Sequence, residues 1–315
     1  MNPPRTDATE PTVGVLLTAL GGPNDLEEVA PFLVEVRGGR TTPLALVEEF
    51  RGRYARIGGR SPLLEISTAQ ATALEERLAQ GPGRYRCYVG MRHWKPFIRD
   101  VLGDMHRDGL SSAVVLPLTP YHSRRTVGLY LGAVEEARRA VGATFPILGV
   151  ESWNTEPSLL SAYARATTDG IARLSAAGFP DPRVLFTAHS LPRQLIESGD
   201  DYEKELRETM DLVLRRLGPV RAQLAFQSAG RSNEPWLGPS LETTMQQLAD
   251  AGERSVLVVP LGFISDHLET LYDIDVEARQ LAADLGLRFE RAASLNTDPE
   301  LIEAMAHAVR ARRSG

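Results

Sequence analysis

The chain has 315 residues and a mass of 34.5 kDa, enough for two domains that each bury a core. A net charge of -6 and a pI near 5.6 argue against a nucleic-acid partner, which needs a basic face. A single cysteine, Cys87, excludes a disulfide framework and a thiolate metal cluster. The composition, 43% hydrophobic and 24% charged, is that of a soluble globular protein. The polar N-terminal "MNPPRTDATEPT" lacks a signal-peptide core and no run is long enough to span a bilayer, so a cytoplasmic location is expected.

The first strand is expected at "TVGVLLTAL" (12–20). It runs into "GGPND", which has neither the G-x-G-x-x-G pattern nor a P-loop lysine, so the glycines either let backbone approach a ligand or turn the chain. "DLEEVAPFLVEV" has helical periodicity. The following segment (35–62) sets Arg37, Arg40, Arg51, Arg53, Arg56 and Arg60 among five glycines. Guanidinium forks suit carboxylates and phosphates, so this segment is either a dock for a small polyanion or a solvated face. After the helical "STAQATALEERLA" come strands at "RYRCYVGM" (84–91), "SAVVLPL" (112–118) and "FPILGV" (145–150), separated by "KPFIRDVLGDMHRDG" and "LGAVEEARRAVG". Tyr121, His122 and Tyr130 supply aromatic and polar candidates after the third strand.

The periodicity breaks at "VESWNTEPS" (150–158) and then resumes. Strands are expected at "RVLFTAH" (183–189), "RAQLAFQS" (221–228) and "SVLVVPLG" (255–262), with "SLLSAYARATTDGIARLSAAG", "YEKELRETMDLVLRRLG", "LETTMQQLADAG" and "LYDIDVEARQLAADLG" as helices. Steady alternation of strand and helix predicts an α/β protein of two Rossmann-like domains, each a parallel sheet flanked by helices, with a ligand cleft between them. The expected limits are 10–149 and 150–297, and the last helix, 298–315, is expected to pack back on the assembly.

"RVLFTAHSLP" delivers His189 to the mouth of a strand, and "GFISDHLE" brings Asp266, His267 and Glu269 to the same edge. Imidazole opposed to carboxylate suits proton transfer near neutral pH or a borderline divalent metal. No H-E-x-x-H pattern is present, so a transient metal is expected rather than a resident one. Glu269, Asp273 and Glu277 repeat every fourth residue, which on an α-helix puts like charges on one face at a cost of a few tenths of a kcal/mol per pair. The row is either a solvated acidic face or a cation-handling site. Trp236, in "FQSAGRSNEPWLGPSLE", is either core or a flat wall against a planar ligand.

Taken together, "LLTALGGPNDLEEVAPFL", "RYARIGGRSPL", "VGMRHWKPFIRDVL", "VESWNTEP", "FTAHSLP", "FQSAGRSNEPWLGPSLE" and "GFISDHLETLYDIDVEA" resemble the ferrochelatases, in order and over nearly the whole chain. The resemblance implies insertion of Fe2+ into a porphyrin in haem biosynthesis, with the porphyrin in the cleft. It implies that His189 and Glu269 face each other as the metal and proton-handling pair, with Asp273 and Glu277 continuing an acidic ridge outward, where a hydrated divalent ion is expected. Arg37, Arg53, Tyr54, Ser61 and Tyr130 match positions lining the porphyrin site, and Trp236 would form part of its wall. Porphyrin and ferrous iron are the implied partners, joined by transient contacts with other haem-pathway enzymes, and the chain is expected to be a monomer without resident cofactor or iron–sulfur cluster.

One departure concerns Leu20, which stands where enzymes of the Gram-positive coproporphyrin type carry a tyrosine able to ligate iron; leucine cannot do so. The other segments look nearest the compact bacterial enzymes, and coproporphyrin III is favoured over protoporphyrin IX. The rival readings are a cobalt chelatase of corrin synthesis, a non-enzymatic haem or tetrapyrrole carrier, and a two-domain sugar- or anion-binding protein.

Overall fold

Apolar runs rich in Val, Leu and Ile form the strands, because burial on both faces of a parallel sheet needs apolar side chains on both. The computed structural model describes residues 11–230 and 232–314. The expected limits at residues 10 and 315 lie outside the described residues. In chain order the first sheet holds β1 (Thr12–Ala19), β2 (Arg84–Met91), β3 (Ser112–Pro117) and β4 (Ile147–Gly149), hydrogen-bonded in the order β2-β1-β3-β4. The second holds β5 (Arg183–His189), β6 (Ala222–Gln227), β7 (Ser255–Val259) and β8 (Arg288–Arg291) in the order β6-β5-β7-β8. Every pairing is parallel, and the second sheet repeats the topology of the first.

The helices Leu44–Arg56 and Arg193–Glu197 were not expected from the sequence, and two further elements depart from its reading. β8 carries no strand signal: "RFER" is four residues long, mostly charged, and lies at the sheet edge beside β7. The single α-helix expected over "LYDIDVEARQLAADLG" is instead a π-helix, Glu269–Ala278, continued by an α-helix, Arg279–Asp284. The Arg279 N–H donates to the Ile274 carbonyl five residues back, the bond of a widened turn.

One apolar core runs through both sheets. Val13, Val15 and Leu17 of β1, Val184 and Phe186 of β5, and Leu301, Met305 and Val309 of the last helix belong to the same buried cluster. Each such side chain contributes about 1.5–3 kcal/mol when fully buried. The last helix spans Pro299–Ser314 and lies against the helices Leu63–Ala79 and Pro157–Ala176. It is tied to the first half by an Arg77–Glu303 ion pair and by Arg312 Nε, which donates to the Gly149 carbonyl at 2.8 Å. No helix among the described residues is long and apolar enough to cross a membrane.

Candidate active site

The strand orders reverse between β1 and β3 and between β5 and β7, and ligands of open parallel sheets bind at the carboxyl ends of the strands flanking such a reversal. His189 is the last residue of β5, and Glu269 opens the π-helix that follows β7. The fold thereby brings together two residues 80 positions apart: His189 Nδ1 lies 2.9 Å from Glu269 Oε2. Their side chains are 35% and 29% exposed, so both are partly sheltered yet reachable. Burial opposes charge on His189, but the neighbouring Glu269 and Asp273 carboxylates outweigh it and raise the imidazole above its ordinary value. Burial likewise opposes charge on Glu269, and His189 outweighs it, holding the carboxyl low.

The start of the π-helix is held by side chains that bind its backbone. His267 Nδ1 accepts from the Glu269 N–H at 3.0 Å, and Gln227 Nε2 donates to the Glu269 carbonyl at 3.1 Å. Burial pushes the His267 imidazole down, which suits its acceptor role. Asp266, expected at the same edge, is turned into a separate network, where it accepts from Arg291 Nη1 at 3.1 Å and from Ser294 and Asn296. Its role is thus to hold the loop rather than to join the His189 pair.

Asp273 accepts a hydrogen bond from Ser228, which follows β6 with a φ of 57°. Burial pushes the Asp273 carboxyl up to about 7, with Glu269 and Glu277 adding to the rise and Ser228 and Arg53 opposing it. Glu277 is exposed. Among the described residues no three His, Cys, Asp or Glu side chains converge as a metal cage would. Glu269, Asp273 and Glu277 therefore form a row and not a cage.

The N-terminal half supplies the facing wall. Arg53, on the helix Leu44–Arg56, reaches Asp273 Oδ1 at 3.5 Å and Glu49 at 3.1 Å, and its guanidinium stacks over Tyr272 at 5.0 Å. Tyr54 and Tyr130 are buried. Burial, with the Glu269 charge adding to it, raises the Tyr54 phenol, and burial pushes Tyr130 up to about 12 against the opposing charge of Arg92. Ser61 is buried under the Gly-Gly-Pro turn: a Cβ on Gly22 would sit 2.5 Å from the Ser61 Cβ, and the Ser61 N–H donates to the Pro23 carbonyl at 2.8 Å. The glycine thus lets the turn pass against Ser61. Arg37 follows the helix Val29–Val36, and its Nε is buried without a hydrogen-bond partner among the described residues. Trp236 packs over Gly230, where a Cβ would be 2.4 Å from its ring, and its Nε1 donates to Ser232 at 3.2 Å. Leu20 is 41% exposed at the mouth of β1.

The ferrochelatase family model matches residues 12–313. The chain belongs to the ferrochelatase family. It is 38% identical to a protein named ferrochelatase from Deinococcus radiodurans, over 94% of this chain and 95% of that one. It is also 38% identical to one named coproporphyrin III ferrochelatase from Anoxybacillus flavithermus, over 94% and 95%. Among solved structures it is similar in fold to SirB from Bacillus subtilis with Fe3+, with a TM-score of 0.58, 14% identity and coverage of 95% and 94%. Three residues that bond the His189, Glu269 and Asp273 segments were not singled out in the sequence: Ser228, Gln227 and Tyr202. Their signal was weak, since each is an ordinary polar or aromatic residue at a strand end or helix start.

Proposed function

We propose that the chain inserts Fe2+ into a carboxylate-bearing porphyrin, coproporphyrin III in preference to protoporphyrin IX. The observation that carries this reading is the His189–Glu269 contact at the strand ends, an imidazole and a carboxylate partly open to the cleft. A free-base porphyrin must lose two pyrrole protons while iron exchanges water for four nitrogens. A dication approaching Glu269 weakens that carboxylate's hold on the imidazole proton, which leaves outward along the acidic row; the neutral His189 then accepts the two pyrrole protons one after the other and passes each outward by the same route. Asp273, at about 7, exchanges a proton near neutrality and stands next in the row, with Glu277 beyond it at the surface. The same carboxylates attract a hydrated cation inward, so the row serves metal and proton traffic in opposite directions, with a hydrated divalent ion held transiently at Asp273 and Glu277.

Arg37 and Arg53 are assigned to the porphyrin carboxylates, Ser61 and Tyr130 to their polar contacts, and Tyr54 and Trp236 to the wall. The Arg37 Nε, buried and without a partner among the described residues, supports the assignment of Arg37 to a carboxylate of the porphyrin. The test is anaerobic Fe2+ insertion followed by absorbance, with coproporphyrin III and protoporphyrin IX side by side. Faster turnover with coproporphyrin III supports the reading, faster turnover with protoporphyrin IX reverses the preference, and binding of both without metallation overturns the reaction.

A further inference from the structure

Three buried tyrosine hydroxyls converge on the two chain segments that carry His189 and Glu269. Tyr202, at the start of the helix Tyr202–Leu217, donates to the His189 carbonyl at 3.0 Å. Tyr121, from the loop after β3, and Tyr163, from the helix Pro157–Ala176, both donate to the Leu261 carbonyl, at 2.9 and 2.7 Å. Leu261 lies just after β7 on the segment leading to Glu269. Tyr121 and Tyr202 also meet edge to face, with ring centroids 6.3 Å apart. The neighbouring Gly262 N–H donates to the Thr187 carbonyl of β5 at 2.9 Å, so the two segments touch directly.

We propose that Tyr202, Tyr121 and Tyr163 are positioning residues for the His189–Glu269 pair, setting its separation through the backbone of the two strand exits. The inference rests on the metal-insertion reading above. A hydroxyl is a costly group to bury, and these three are directed at carbonyls at the ends of the two strands flanking the sheet reversal. Tyr121 comes from the first half of the chain, so the first half takes part in fixing a pair that belongs to the second.

Because Leu261 has two donors and His189 one, the hydroxyl deletions have unequal effects. Tyr202→Phe keeps the ring and is expected to lower kcat roughly tenfold, since misplacement of reacting groups is costly, with the porphyrin KM unchanged. Tyr121→Phe and Tyr163→Phe are each expected to cost about twofold or less, while the double variant loses more than their product, a coupling that a double-mutant cycle reads. Thermal midpoints and porphyrin binding are measured on the same samples. A kcat within twofold of wild type for Tyr202→Phe, or an additive cycle for the Leu261 pair, overturns the proposal. A loss of kcat that follows a loss of porphyrin affinity overturns it as well. Absence of insertion in the wild type would instead overturn the reaction on which it rests.

Discussion

His189 Nδ1 and Glu269 Oε2 are 2.9 Å apart although 80 residues separate them, because both stand where the order of the second sheet reverses. His189→Ala removes the imidazole without disturbing Arg37, Arg53 or Tyr130. Insertion is expected to fall by roughly 10²–10⁴-fold while porphyrin binding persists. Absorbance titration and a turnover assay on the same variant separate the two effects, and retained turnover would sink the role given to His189.

Asp273 links pH to stability. Its carboxyl lies at about 7 in the folded protein against an ordinary value of 3.8. Between those values the folded state binds the proton more tightly than the unfolded state, so this group makes stability fall as pH rises through that window. Asp273→Asn removes the dependence. Relative to wild type, the variant is expected to gain stability on going from pH 4 to pH 8, by up to a few kcal/mol. Denaturant midpoints at the two pH values check this, and an equal change in both proteins would contradict it.

Arg53 bridges the halves to Asp273 and stacks on Tyr272. Arg53→Ala is expected to raise the porphyrin KM about tenfold, because the proposed partner of a porphyrin carboxylate is lost. Folding should lose only about 1 kcal/mol, the scale of a partly exposed ion pair. Steady-state kinetics beside a melting curve would test both parts.

Gly262 leaves no room for a side chain: an added Cβ would lie 2.7 Å from the Ala188 Cβ and 2.8 Å from its Cα. The second contact is backbone, so a segment must move. Gly262→Ala is expected to destabilise by about 1–3 kcal/mol and to lower kcat through the displaced His189 segment. A variant with wild-type melting temperature and turnover would show that the segments can separate freely.

Much of the fold was legible because parallel strands buried on both faces read as continuous apolar runs, as "SAVVLPL" and "SVLVVPLG" do. β8 was not legible, since an edge strand of four residues with two arginines needs no such run. The acidic spacing of Glu269, Asp273 and Glu277 was visible, but the π-helix that carries it was not, because a five-residue hydrogen-bond register leaves no mark on residue type. Asp266 shows the reverse case: adjacent to His267 in sequence, it is drawn into the Arg291 network by residues that follow it by 25 positions or more.

The sequence by itself determined the alternation of strands and helices, the family resemblance and the residue types available for the chemistry, since these follow from local periodicity and motif. Only the tertiary structure decided which of those residues meet. The His189–Glu269 contact, the Arg53–Asp273 bridge and the tyrosine hydroxyls on the His189 and Leu261 carbonyls each join distant segments, and their distances depend on how the sheets and helices pack, which no local pattern of residues encodes.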